Sequence, residues 1–83
     1  MADNPPDFEL PDIELDVRDL LCPLPVLRTR KILQTMVSGD VLKVVATDPM
    51  SAIDMPHFCN EQGHVLLSHE VVSNQQIFRI KRK

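Results

Sequence analysis

The chain has 83 residues, 43% of them hydrophobic, and a net charge of −3, which supports one small domain and is too little to build the enclosed cleft of an ordinary enzyme. No stretch approaches the roughly 20 apolar residues of a membrane span, and the acidic, proline-containing N-terminus is unlike a signal peptide. Two cysteines 37 positions apart, with no Cys-x-x-Cys, offer neither a zinc knuckle nor a disulfide framework, so a reduced, cytoplasmic setting is expected.

The charge is unevenly spread. Residues 1–19 carry seven acids against Arg18 alone, whereas the rest carries eight Lys/Arg against five Asp/Glu. Residues 1–11, with Pro5, Pro6 and Pro11, read as a flexible acidic arm, and 12–83 as a single domain. Ile13, Leu15 and Val17 alternate with Glu14, Asp16 and Arg18, the period of a half-buried strand. A helix is predicted over Val26 to Val37, with Val26, Thr29, Leu33, Met36 and Val37 on its buried side and Gly39 ending it. Val41 to Thr47 is nearly continuously apolar and β-branched, as suits a central strand. Asp48-Pro49 supplies an N-cap and an N1 proline for a second helix, which Pro56 should kink or divide and Gly63 should end. Val65 to Val72 and Gln76 to Lys81 are two further strands joined in hairpin fashion near Ser73-Asn74-Gln75.

The order is therefore βαβαββ. Right-handed crossovers make the first two strands parallel neighbours and place both helices on one face. The expected fold is a two-layer α/β sandwich with a mixed four-stranded sheet in the order 1-2-4-3. Its other face is partly exposed, consistent with Lys43, Thr47, Ser68 and Glu70.

Cys22 is the candidate for chemistry, because Cys22-Pro23-Leu24-Pro25 stands between the first strand and the first helix. Prolines fit the first helical turn, whose N–H groups lack intrahelical partners. With Pro23 at N1 and Pro25 at N3, the N–H groups of Leu24 and Val26 would point at the sulfur. The helix N-terminus would then lower the thiol pKa. The bland alternative is a small buried cysteine filling a strand-to-helix corner. A persulfide carrier needs an exposed, partly ionised cysteine with no neighbouring thiol to discharge it, and Cys22 fits that description.

Around the helix, Leu24 and Leu27 lie opposite the core stripe, flanked by Arg28 and Lys31, a plausible docking surface for a partner that brings its own reactive sulfur. Cys59 follows Ala52 and Met55 at helical spacing and reads as core. His57, Cys59 and His64 are too few for a metal site, and neither metal nor resident cofactor is expected. His57 and His64 read as helix-end groups, His69 as solvent-facing on its strand, and Asp48 and Asp54 as caps, with a supporting role near the thiol as the alternative for both. Without Trp or Tyr, and with a basic run only at Arg79-Ile80-Lys81-Arg82-Lys83, direct nucleic-acid binding is not expected.

Leu15-Asp16-Val17-Arg18-Asp19-Leu20-Leu21-Cys22-Pro23-Leu24-Pro25-Val26-Leu27, with Gly39-Asp40, Thr47-Asp48-Pro49, Asp54-Met55-Pro56, Phe58-Cys59 and Gly63-His64, resembles the TusA-like (SirA-like) sulfur-carrier proteins. The resemblance runs from about Ile13 to the C-terminus and has Cys-Pro-x-Pro as its signature. It implies a sulfurtransferase that carries a covalent persulfide on Cys22, opened by Pro23 and Pro25. The donor would be a cysteine desulfurase or a rhodanese-type protein, and the acceptor the next relay protein. Transfer-RNA thiolation, molybdenum-cofactor maturation and sulfur oxidation are the pathways the family serves. The resemblance places donor docking at Leu24, Leu27, Arg30 and Lys31, with Asp48 and Phe58 nearby. Asp19 stands where the family commonly has glycine; Asp tolerates left-handed φ but adds negative charge near the thiol. A monomer forming transient complexes is expected. The rival function is a non-catalytic interaction or regulatory module in which Cys-Pro-x-Pro only caps the helix.

Overall fold

The computed structural model describes residues 13–83; the acidic arm expected at 1–11 lies outside the described residues. Six elements follow in chain order: β1 (Ile13–Val17), α1 (Leu24–Leu33), β2 (Val41–Ala46), α2 (Ser51–Gln62), β3 (Val65–Val72) and β4 (Gln75–Lys81). The sheet order is β1-β2-β4-β3, with β1 parallel to β2 and the other pairs antiparallel. This is the expected βαβαββ sandwich.

Alternation along β2 and β4 divides the two faces. Leu42, Val44 and Ala46 pair with Ile80, Phe78 and Gln76 on the helix-covered side, and with Val17, Leu33, Met36, Met55, Phe58 and Cys59 they form the core. On the uncovered side, register places Glu14, Lys43, Arg79 and Ser68 in one row. Lys43 Nζ lies 3.6 Å from Glu14 there, a surface pair that contributes little to stability. Thr47 is not on this face: it follows β2 and accepts the Asp19 N–H at 2.9 Å. His69, expected to face solvent, is exposed but stands on the helix-bearing side, where its ring stacks on Phe78 with centroids 4.4 Å apart. A register shift between Leu66 and Ser68 marks a β-bulge, which leaves Leu67 about half exposed.

Three helix boundaries differ from the sequence reading. α1 starts two residues early and stops at Leu33, because Thr35 and Met36 donate to the carbonyls of Ile32 and Leu33 in tight i→i−3 turns, and Asp40 Oδ2 captures the Val37 N–H at 3.0 Å. Met36 remains buried, but Val37 is turned outward and 69% exposed. α2 starts at Ser51 with Met50 at the N-cap; Asp48 and Pro49 instead form the turn before it, their carbonyls accepting the N–H groups of Ser51 and Ala52. Pro56 does not divide α2, which runs unbroken to Gln62. Its missing N–H deprives only the Ala52 carbonyl, and Ala52 is exposed, so water can take that place. Gly63 closes α2 in the left-handed conformation, φ 81°, where a side chain would be strained.

Thr29 is fully buried in α1 and its hydroxyl lacks a hydrogen-bond partner. Removing an unpaired buried hydroxyl while keeping the shape is favourable. Thr29→Val is expected to stabilise the fold by about 1 kcal/mol; a urea midpoint that falls would show that the hydroxyl is satisfied in solution.

Candidate functional site

The segment between β1 and α1 must reverse direction within a few residues, and Asp19 makes this possible with φ 68°, a conformation Asp tolerates better than most residues. Leu20 N–H then returns to the Val17 carbonyl and Leu24 N–H to the Leu21 carbonyl. Cys22 sits at the outer edge of this turn, exposed. Pro23 is the N-cap of α1, and Pro25 falls at N2 and is buried, one position earlier than expected for both. As a result Leu24 N–H is spent on Leu21, not aimed at the sulfur.

Two bonds tie this turn to the segment after β2. Asp19 N–H donates to Thr47 Oγ1 at 2.9 Å, and Cys22 N–H donates to Asp48 Oδ2 at 2.6 Å. The other Asp48 oxygen accepts the Met50 N–H at 3.1 Å. Asp48 is buried, 7% exposed, so it is not available at the surface for docking. It acts instead by fixing the backbone under the sulfur.

Beside Cys22 an open, mostly apolar groove of about 280 Å³ runs between α1 and α2. Pro23, Val26 and Phe58 supply its apolar lining, while Asp54, His57 and Glu61 stand along α2. His57 Nε2 lies 3.6 Å from Glu61. The Asp54 carboxylate, placed to accept from the thiol, raises the Cys22 pKa above its usual value, and desolvation of the sulfur and the charges of Asp54 and Asp48 act in the same sense. This reverses the lowering expected from the helix N-terminus. The acids acting on the sulfur come from α2 and its leading turn, Asp54 above all, which is the supporting role that the sequence offered as the alternative to capping. A clue is present in the sequence: Asp54 and Phe58 are spaced i, i+4, so one helical face carries both.

Leu24, Leu27, Arg28 and Lys31 form one stripe on the outer side of α1 by their i, i+3, i+4, i+7 spacing, with Leu24 and Leu27 42% and 48% exposed. Arg30 does not share that stripe. It lines a small cleft at the other end of the α1/α2 seam with Gln62, His64 and Arg82. Phe58, 7% exposed, is a wall of the groove and part of the core. Leu21, Met50 and Ile53 add exposed apolar surface on the turns that hold Cys22, Asp48 and Asp54, an apolar collar that helical periodicity alone did not reveal.

Cys59 is different in every respect. It is 1% exposed in the core, and burial pushes its thiol up to about 11 from 9.0. Among the described residues, no three His, Cys, Asp or Glu side chains gather as metal ligands. No helix among them is long and apolar enough to cross a membrane. Because the folded thiol holds its proton more tightly than the unfolded one, Cys59 favours the fold fully below about pH 9 and this contribution is lost as pH rises toward 11. Cys59→Ala should therefore flatten the fall in urea stability between these pH values, by up to about 2 kcal/mol. Equal pH slopes in the two proteins would show that Cys59 titrates normally.

With the exposed cysteine, its two prolines and its carboxylate support in place, comparison with known proteins decides the family. The family model described as "Sulfurtransferase TusA" matches residues 13–82. The chain belongs to the TusA sulfurtransferase family. Among curated TusA relatives, the "Sulfur carrier protein TusA" of Allochromatium vinosum is 44% identical over 71 residues, covering 86% of this chain and 93% of the relative. That of Pseudomonas putida (strain GB-1) is 38% identical over 73 residues, 88% and 91% of the two chains. In fold, the crystal structure of a SirA-like protein from Desulfitobacterium hafniense superposes with a TM-score of 0.75 at 21% identity, covering 83% of this chain and 95% of that one. Sulfur transfer is thus the chemistry of this TusA family, and a sulfur carrier is what the curated relatives are named.

Proposed function

We propose that this chain is a cytoplasmic persulfide carrier that takes sulfur from a cysteine desulfurase or rhodanese-type donor onto Cys22 and passes it to an acceptor protein. The observation that carries this reading is the contrast between its two thiols: Cys22 is exposed at the mouth of an open groove, whereas Cys59 is buried in the core.

In the free chain the raised pKa keeps Cys22 as the thiol. Docking of the donor brings a persulfide to the groove, and Cys22 yields its proton, which the departing donor thiolate takes up at the end of the step. The Cys22 thiolate attacks the outer sulfur of the donor persulfide, a new S–S bond forms, the donor's S–S bond breaks, and the donor cysteine leaves as thiolate, which recovers a proton. The sulfane sulfur changes owner with no net oxidation or reduction. Delivery repeats the step in reverse roles: an acceptor thiolate attacks the outer sulfur and Cys22 departs. The Leu24, Leu27, Arg28, Lys31 stripe and the collar of Leu21, Met50 and Ile53 are the surfaces we assign to partner docking. The acceptor belongs to a thiolation, molybdenum-cofactor or sulfur-oxidation relay.

Incubation with a cysteine desulfurase and free cysteine, followed by intact mass measurement, tests the reading. One sulfur mass should be gained and lost again on reduction. No gain from desulfurase and rhodanese donors, with Cys22 still open to alkylation, would favour an interaction module instead.

A further inference from the structure

Gln76 is a buried polar side chain in the core-facing row of β4, 7% exposed, and a glutamine there requires a reason. Its Nε2 donates to the Asp48 carbonyl at 3.0 Å. A carbonyl can only accept, so this bond fixes the amide orientation and makes Oε1 an acceptor. That oxygen lies 3.0 Å from His69 Nε2, which therefore carries the proton. The Asp48 carbonyl also receives the Ser51 N–H at 2.9 Å, and the Asp48 carboxylate holds Cys22 N–H. The bonds form one continuous path, from His69 on β3 through Gln76 on β4 and Asp48 after β2 to the backbone of Cys22.

We infer that Gln76 is a positioning residue for Cys22, acting through Asp48 to hold the sulfur-bearing turn against α2. The inference deepens the persulfide-carrier reading and rests on it for its biological meaning. Asp48 follows a strand end and needs a restraint to keep its carboxylate under Cys22. Its own side chain is committed to two N–H groups, and the carbonyl is the remaining handle. Gln76 grips that handle from the neighbouring strand at the paired position, Ala46 opposite Gln76, and His69 prevents the amide from rotating. Both tautomeric requirements are met by Nε2–H, and protonation of the ring at Nδ1 leaves this donor in place, so the path is a brace and not a pH switch.

When the brace is cut, Cys22 should relax away from the groups that face it, Asp54 on α2 and Asp48 before it, with His57 and Glu61 farther along the same groove. The test is the rate of Cys22 alkylation by iodoacetamide against pH, in a Cys59→Ala background so that one thiol reports. Gln76→Met, which keeps length but removes both hydrogen bonds, should lower the pH midpoint and quicken alkylation at pH 7 at least about threefold. In the Asp48→Ala background the same change should add nothing, because no side chain then carries the restraint from the Asp48 carbonyl to the Cys22 N–H. His69→Phe keeps the stack on Phe78 but removes the donor, and should move the midpoint the same way by less; being exposed, it also serves if Gln76→Met does not fold. An unmoved midpoint with a lowered melting temperature would make Gln76 a packing residue and overturn the inference. An equal shift in the Asp48→Ala background would do so as well. Neither result depends on sulfur loading, which the intact-mass measurement reads separately.

Discussion

Cys22→Ser is expected to lose sulfur loading completely while melting within about 2 °C of the wild type. A serine oxygen cannot hold a sulfane sulfur, so no residual carrier activity should remain in a desulfurase assay. The small effect on stability follows from what Cys22 contributes to the fold. Its side chain is exposed, and its structural bond is the backbone N–H to Asp48, which serine keeps. Surface substitutions of this kind change stability by about 0.5 kcal/mol or less. The matching control is Cys59→Ser, which should load sulfur normally but lose stability, since it puts a hydroxyl among the buried apolar side chains around Cys59. Loading that survives in Cys22→Ser and vanishes in Cys59→Ser would reassign the carrier thiol.

Asp48→Ala should show the reverse pattern, a large loss of stability accompanied by a disordered site. Two backbone N–H groups, those of Cys22 and Met50, donate to its carboxylate, and in alanine both lose a charged acceptor in a part-buried setting. Bonds to charged groups contribute about 1.5–3 kcal/mol each, and the second is long enough to count at the low end. A combined loss of about 3 kcal/mol follows, which in a domain of this size lowers the melting temperature by roughly 10 °C or more. Asp48→Asn, which keeps one oxygen as acceptor, should recover about half. Urea unfolding of the three proteins at pH 7 gives the comparison. A loss under 1 kcal/mol in the alanine variant would mean that water replaces the carboxylate readily and that the Cys22 turn does not depend on it.

The sheet and the sulfur atom were both legible in the chain because each rests on short-range chemistry. Period-2 alternation in Ile13 to Val17 and the apolar run from Val41 place the strands, and a cysteine before two prolines places the thiol. What sequence alone could not supply were the contacts made across the chain. Asp48 looked like a helix cap because Asp before Pro commonly is one; that it instead reaches Cys22, 26 positions away, depends on β1 and β2 ending at the same level. That Asp54 supports the thiol depends likewise on how the two helices pack, and it carries the sign of the thiol's pKa shift: a helix N-terminus argues for lowering, but the Asp54 carboxylate raises it. Val37 shows the limit of periodicity. It continues the α1 pattern, yet Asp40 withdraws its N–H from the helix. Pro56 shows the opposite limit, a proline that does not divide its helix because the lost bond faces water.

Strand register has a practical consequence for handling the protein. Ile13 is level with Leu42, and Val41 with Lys81, so the first described strand enters and the last one leaves at the same pole of the sheet. Val17 and Ala46 lie at the other pole, where the Cys22 turn is bonded to Thr47 and Asp48. The span between poles is roughly 13 Å even for the shortest strand. An affinity tag, a fluorophore or a surface tether joined after Lys83 therefore hangs from the far end, and immobilised protein presents its sulfur outward to whatever flows past.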